Sequence, residues 1–207
     1  DSDKVITNLA KKFMVKPQVL SEAVNEVNEH IKRNLPVPTH DLVLIEAFDK
    51  YLIIHACFGE IVNKTLGCVF DAVLSEHDLI SGWWNDEFRI LIEVPFKVES
   101  RDIAKLPSLL FDMNDKDVDI AFSNYLEARF PFAERMKFVA ERFGVLPRGR
   151  LMGPDRLMQL KARFKNTPVY NETLREAMTE RVDIQAVKKI LTDIKVDKIH
   201  VDTFLSR

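Results

Sequence analysis

The sequence predicts an α+β fold in which an antiparallel sheet comes first and a group of helices follows. Three observations predict it: two adjacent runs rich in β-branched and aromatic residues, a third such run after an apolar helix, and helical periodicity in most of the chain beyond residue 115. Strands that precede helices, instead of alternating with them, favour α+β over a parallel α/β sheet. With 207 residues, 46% of them hydrophobic, the chain is long enough to bury such a core.

The N-terminal segment 1–34 is predicted to be helical. Pro17 fits the first turn of a helix, and Pro36 should end it near Leu35, because a proline disfavours α geometry in the residue before it. Apolar residues recur on one helix face: Leu20, Val24, Val27 and Ile31.

Residues 35–114 are predicted to form a β-rich subdomain. Its expected elements are strands at 41–48, 51–58 and 88–94 and a helix at 60–74. Asp49–Lys50 has the spacing of a two-residue hairpin turn. The helix is apolar almost all round and should bury Val62, Leu66, Val69 and Val73. The third strand should direct four residues to one face: Phe88, Ile90, Ile92 and Val94.

Residues 115–207 are predicted to form a helical subdomain with a candidate closing strand at 198–204. Val118 opens a helical stripe, and Pro131 starts a further helix that Gly144 ends. The inward side of that further helix should carry Phe132, Met136, Val139, Ala140 and Phe143. Later helices are expected at 154–164, 169–180 and 184–195.

Composition and motifs exclude several functions. Two cysteines are too few for a disulfide scaffold, no apolar run is long enough to cross a bilayer, and the first residues resemble no signal peptide, so we expect a reduced, cytoplasmic setting and no membrane partner. The chain starts with Asp instead of Met, so we expect a piece of a longer protein. No G-x-x-x-x-G-K-[ST] loop is present, and we expect no cofactor and no ATP hydrolysis in this chain alone.

Candidate metal and acid–base residues fit structural roles better. His55, Cys57 and Cys68 lack metal-ligand spacing and read as ordinary core residues. The acidic run from Asp112 to Asp119 fails the EF-hand pattern and suits a helix N-terminus. The adjacent carboxylates Asp86 and Glu87 should lie in a surface turn.

The net charge of −2 conceals a local asymmetry, because residues 71–128 carry −8 and residues 129–165 carry +7. Such a basic block suggests an anionic partner, with nucleic acid the usual candidate. The alternative is that the acidic and basic segments face each other in the fold.

An aromatic residue within this basic block is the best functional signal. Phe138 should point away from the inward stripe of its helix, where it could stack on an unpaired base, or else pack on a neighbouring helix or a missing domain. The basic residues predicted to contact nucleic acid are Arg129, Arg135, Arg142, Arg148, Arg150, Arg156, Lys161 and Arg163. Trp83 and Trp84, expected in a turn after Gly82, could offer a second stacking surface, or could cap the sheet.

Four ordered motifs carry a family resemblance: VPTHDLVLIEAF, HACFGEIVNKTLG, RFPFAERMKFVAERFG and KNTPVYNETLREAM. From about Leu35 to Phe204 the chain resembles the DEAD/H-associated region of Lhr-type superfamily 2 ATP-dependent DNA helicases. The resemblance implies a β-barrel-like unit with attached helices that helps to hold the tracking single DNA strand. It also implies that 1–34 connects to a winged-helix domain, and that two RecA-like motor domains supply the ATP and Mg²⁺ sites outside this chain.

One departure concerns the segment VNKTLG. Bacterial relatives often have a Trp there that can stack on a base, whereas Leu66 stands in this sequence. Lys64, Asn63 and Thr65 remain as polar candidates for strand contact at a helix start, with capping the alternative for Asn63 and Thr65.

Three function classes remain open on the sequence. The first is a DNA-holding accessory domain of a helicase, which binds single-stranded or tailed DNA. The second is a catalytic domain like that of a DNA glycosylase, for which no clear catalytic carboxylate is present. The third is a protein-interaction module that docks the helicase motors.

Overall fold

The computed structural model describes residues 2–32, 36–129, 132–149, 151–179 and 182–206. The chain forms two compact units, Asp1–Thr39 and His40–Arg207. The first unit holds helices α1 (Ser2–Phe13) and α2 (Pro17–Lys32). Pro17 starts α2 as predicted, whereas Met14 has a left-handed φ of 52° and separates the two helices. The predicted helix end near Leu35 lies outside the described residues.

The second unit has mixed α+β architecture, which confirms the predicted fold class. Its strands are β1 (Leu42–Phe48), β2 (Tyr51–His55), β3 (Gly82–Asn85), β4 (Arg89–Glu93) and β5 (His200–Leu205). Its helices are α3 (Glu60–Ser75), α4 (Ser100–Ile103), α5 (Leu106–Phe111), α6 (Asp115–Arg129), α7 (Phe132–Arg142), α8 (Pro154–Phe164), α9 (Pro168–Thr179) and α10 (Ile184–Lys195). Among the described helices, none combines the length and the apolar character needed to span a bilayer.

The sheet has the strand order β3-β4-β2-β1-β5 and is not closed. The barrel-like expectation is therefore wrong: β3 and β5 form opposite edges and do not pair, as a barrel would require. The sheet is also mixed, because β5 runs parallel to β1 whereas the other pairs are antiparallel. The strand expected at 198–204 is present as this parallel edge strand.

The β1–β2 hairpin is confirmed, with Asp49 and Lys50 at its turn. Asp49 adopts φ 51°, a left-handed conformation that Asp tolerates better than most residues, which explains how the turn forms without glycine. Strand β4 is also confirmed, but Phe88 is not in the core. It is 61% exposed, because it belongs to a turn in which Asp86 Oδ1 accepts hydrogen bonds from the backbone N–H groups of Phe88 and Arg89.

The expected turn at Trp83 and Trp84 is wrong, since both residues lie in β3. They pair with β4 in the register Trp83–Ile92 and Trp84–Leu91, which directs the two rings to opposite faces. Trp83 is half-buried and packs on Gly67 of α3, where a Cβ atom would overlap three carbons of its ring. Trp84 is exposed.

The five strands and α3 form what we call the sheet core, against which α6 and α10 also pack. Leu66 and Val69 are fully buried there, and Val62 and Val73 are half-buried, so the expected inner side of this helix is largely confirmed. The polar residues at the start of α6 form its cap as expected: Asn114 Oδ1 accepts from the backbone N–H of Lys116 and of Asp117.

Helices α7, α8 and α9, which we call the helical group, surround a second hydrophobic cluster. It contains Phe132, Met136, Val139, Ala140, Leu160, Phe164, Val169 and Tyr170. Phe143 was expected on the inner side but is exposed, because α7 ends at Arg142 and the chain turns away. Glu127 of α6 joins the helical group to the sheet core: its carboxylate accepts from the Tyr170 hydroxyl, and its backbone oxygen accepts from Lys161 Nζ at 2.7 Å.

Candidate nucleic-acid interface

The outer side of α7 presents an aromatic ring with a lysine over it. Phe132, Met136 and Val139 recur at helical spacing and face the hydrophobic cluster, which leaves Phe138 on the opposite side. The Phe138 side chain is 58% exposed, and Lys137 Nζ lies 5.1 Å from the centroid of its ring. The ring is thus accessible for stacking, and no neighbouring described helix covers it.

The two predicted arginines of α7 are both engaged within the protein. Arg142 Nη2 donates to the carboxylate of Glu176 on α9. Arg135 is half-buried and takes part in an interaction of its own. Neither guanidinium is therefore free in this structure, although each lies on the same helix as Phe138.

The loop after α7 carries an exposed arginine beside a glycine turn. Gly144 and Gly149 adopt φ values of 70° and 74°, which glycine reaches without strain. Arg148 directly precedes Gly149, is exposed, and makes no hydrogen bond or ion pair with any described residue. An exposed arginine on a sharp glycine turn can approach a phosphate closely. Arg150, predicted as its neighbour in the site, lies outside the described residues.

Helix α8 continues the basic surface. Arg156 and Arg163 are exposed, and the Arg163 guanidinium lies 5.9 Å from the ring centroid of Phe164. Lys161 differs, because its ammonium is held by the backbone oxygen of Glu127, one of the last carbonyl groups of α6. This bond gives Lys161 a structural function at the end of α6. Arg129 ends α6, but its side chain is not described.

At the start of α3, the polar residues of VNKTLG are used inside the fold. Asn63 is fully buried, and its Nδ2 donates to the backbone oxygens of Ala56 and Asp86 at 2.8 and 3.0 Å. Thr65 is buried too: its hydroxyl donates to the Ile61 oxygen and accepts from the Asp183 N–H. Strand contact by Asn63 or Thr65 is therefore wrong, and so is the capping alternative, because the N-cap is Gly59 and no side chain caps the helix.

The remaining two positions of that segment behave differently. Leu66 is 1% exposed and packs in the sheet core, so it cannot offer a stacking surface in place of a tryptophan. Lys64 is exposed and remains the candidate for phosphate contact on this helix.

The charged segments do not simply neutralise each other. Lys137 pairs with Glu141 of its own helix and Arg142 with Glu176, and both carboxylates lie outside the acidic segment 71–128. Asp119, which belongs to the acidic segment, pairs instead with Lys188 of α10. These contacts leave Arg148 and the exposed arginines of α8 available to an external anion.

The other chemistry-bearing residues have structural surroundings. Partial burial acts to raise the pKa of Asp86, but hydrogen bonds from Phe88 and Arg89 outweigh it and lower that pKa, which confirms the expected turn. Burial raises the pKa of the Cys68 thiol to about 12, so it stays protonated in the core, whereas Cys57, which was also expected in the core, is exposed. His55 Nε2 lies 3.0 Å from a Glu46 carboxylate oxygen on the neighbouring strand. Within the described residues, His, Cys, Asp and Glu form no group of three that could hold a metal ion.

Comparison with known proteins identifies the family of this chain. Residues 37–207 match the family described as DEAD/H associated. The ATP-dependent helicase Lhr-Core of Saccharolobus solfataricus is 26% identical over 98% of this chain, and that of Methanocaldococcus jannaschii is 30% identical over 94%. The chain spans about a quarter of the length of these relatives, 25% and 24%.

A solved structure shows the same fold. The Mycobacterium smegmatis helicase Lhr, bound to ssDNA and AMP-PNP, superposes with a TM-score of 0.74 at 16% identity, over 100% of this chain and 28% of that one. The motifs that suggested the resemblance lie within or overlap the matched range, from VPTHDLVLIEAF onward. The chain therefore belongs to the DEAD/H associated family.

Proposed function

We propose that this chain is a DNA-binding accessory domain of an Lhr-like ATP-dependent DNA helicase and that it holds the tracking single strand. The observation that carries the proposal is the exposed Phe138 ring on α7, followed along the chain by three exposed arginines that form no ion pair with a described residue: Arg148, Arg156 and Arg163. Aromatic rings stack on bases and arginines bind phosphates, so this combination suits a single strand of any sequence. The M. smegmatis relative was solved with ssDNA, which supports the same ligand class.

The proposal assigns the remaining activity to other domains. RecA-like motor domains would supply the ATP and Mg²⁺ sites, and a winged-helix domain would precede this chain, in a cytoplasmic protein. This chain contains no phosphate-binding loop, so a clean preparation should hydrolyse no ATP, with or without DNA. DNA-stimulated hydrolysis by the purified chain would contradict this division of labour.

Salt-dependent binding of a fluorescent single strand tests the proposal. If about four of the ten basic residues of 129–165 contact phosphate, the slope of log affinity against log salt should be about −3, from roughly −0.7 per contact. Changing Arg148 and Arg150 to Glu should flatten the slope and weaken binding to every sequence alike. A slope near zero would overturn the proposal, because the basic surface would then be neutralised within the protein.

Two phenylalanine variants distinguish stacking on Phe138 from the loss of any exposed aromatic ring. Phe138→Ala should weaken binding by about 1–3 kcal/mol with little change in the salt slope, because a stacked ring contributes no charge. Phe88→Ala is the matched control, since Phe88 is similarly exposed, 61% against 58%, but lies in the turn before β4. Equal losses in the two variants would argue against a stacking site on α7.

A further inference from the structure

Arg142 lies one helical turn after Phe138, which places it beside the proposed stacking ring. From this position, a guanidinium could bind the phosphate of a nucleotide whose base stacks on Phe138. In this structure, however, it is paired with Glu176, whose side chain is 24% exposed. The contact joins two helices of the helical group, because Glu176 belongs to α9.

The neighbouring ion pair on α9 indicates that Glu176 is the partner of Arg142. The other arginine nearby, Arg175, binds Glu172 through two hydrogen bonds, Nε to Oε2 at 2.8 Å and Nη2 to Oε1 at 2.6 Å. The hydrogen bond from Arg175 is the main cause of the lowered pKa of Glu172, and the charge of Arg142 adds to it. Arg142 is thus hydrogen-bonded to Glu176, and Arg175 to Glu172.

A carboxylate and a phosphate bind a guanidinium with the same geometry and therefore compete for it. We propose that Glu176 is an internal competitor of the DNA phosphate: it holds Arg142 and so weakens the grip of the site beside Phe138. The proposal rests on the proposed function, since it concerns the same ligand. A domain that holds a moving strand must release it at each step, and a built-in competitor keeps that grip weak.

Removing the competing charge gives the main test. Glu176→Gln should free Arg142 for one more phosphate contact, which steepens the salt slope for single-stranded DNA by about 0.7. The affinity at low salt should rise about two- to fivefold, the range expected for breaking a partly exposed ion pair. Glu134→Gln is the control, because Glu134 is exposed on α7, carries the same charge, and pairs with no described arginine.

A double variant shows whether the gain passes through Arg142. Arg142→Gln in the Glu176→Gln background should abolish the gain in affinity and in slope, whereas Arg142→Gln alone should cost less than Arg148→Gln. An equal gain from Glu134→Gln, or a gain that survives the double variant, would show a general charge effect and overturn the inference. The inference would also be overturned if Arg142→Gln alone, with Glu176 unaltered, weakened binding of single-stranded DNA as much as Arg148→Gln does.

The proposed function fails in a different way. If the unaltered chain shows no salt-dependent binding of single-stranded DNA, the proposed function is wrong and the competitor has no ligand to oppose. If the unaltered chain binds as expected but Glu176→Gln does not differ from it, only the inference about Glu176 is wrong.

Discussion

The sheet core buries the residues of its family motif, whereas the helical group exposes residues of its own motif and of the loop that follows. In the sheet core, the motif residues Asn63, Thr65 and Leu66 are all buried and serve the fold. In the helical group, by contrast, Phe138 and Arg148 are exposed to solvent. A family motif can therefore mark a folding constraint in one region and a binding surface in another.

The difference follows from how the two regions are packed. Helix α3 is covered by the sheet on one side and by α6 and α10 on others, so most of its residues, ten of sixteen, are buried. The apolar contacts of α7 with α8 and α9 come from its inner stripe, which leaves Phe138 exposed on the outer side. The predictions below test this contrast by substituting inner and outer residues of each region.

The largest expected effect is on the inner side of α7. Phe132 is almost fully buried, with its ring centroid 5.3 Å from that of Tyr170. Phe132→Ala should lower the free energy of unfolding by about 3–5 kcal/mol, because it removes the ring and leaves a cavity. Urea denaturation measures this. The outward Phe138→Ala should change stability by less than about 0.5 kcal/mol, and a loss similar to that of Phe132→Ala would show Phe138 to be a core residue.

The contact of α3 with β3 provides the next test. Gly67→Ala should destabilise the protein by about 1–3 kcal/mol, because the new methyl group would overlap the Trp83 ring and force it away from Tyr125. Gly82→Ala, next to Trp83 but with open space around its Cβ position, should change stability little. A stabilised Gly67→Ala variant would mean that the ring has room to move and that helix propensity dominates.

Local pattern was sufficient to predict the hairpin, β4, most helices and the fold class. It was insufficient for β3, because two tryptophans after a glycine are as typical of a turn as of a short strand. What places Trp83 in a strand is its packing on Gly67, a contact between residues distant in sequence. The parallel pairing of β5 with β1 is likewise invisible in local pattern, since it depends on the path of more than a hundred intervening residues. The division of the second unit at residue 115 stays a prediction.

The candidate site divides in the same way. Helical periodicity alone predicts that Phe138 faces outward, and the structure confirms that orientation. Periodicity says nothing about which arginines are already paired, because Glu176 is 34 residues beyond Arg142. The same limit applies to Asn63, whose acceptors Ala56 and Asp86 lie on two different loops.

Asn63→Ala separates fold from binding within the sheet core. Its removal leaves the backbone oxygens of Ala56, which is buried, and of Asp86, which is half-buried, without these donors, and stability should fall by about 1–3 kcal/mol. The affinity of the folded protein for single-stranded DNA should stay unchanged, because Asn63 cannot reach the surface. Thermal unfolding and binding, measured on the same preparation below its unfolding midpoint, check the two statements. Weaker binding by a fully folded variant would contradict the buried, structural function of this residue.

The smallest effect concerns Lys64, the exposed residue between two buried ones on α3. If the strand crosses the sheet core as well as the helical group, Lys64 neutralises one phosphate. Lys64→Gln should then flatten the salt slope for single-stranded DNA by about 0.7 and change stability by less than about 0.5 kcal/mol, since the side chain is exposed. Arg148→Gln should give a similar change, and the double variant about twice that change, because separate phosphate contacts contribute independently. If Lys64→Gln leaves the slope unaltered while Arg148→Gln flattens it, the bound strand contacts the helical group and not the sheet core. The sheet core would then serve only the fold, and the helical group would bind the DNA.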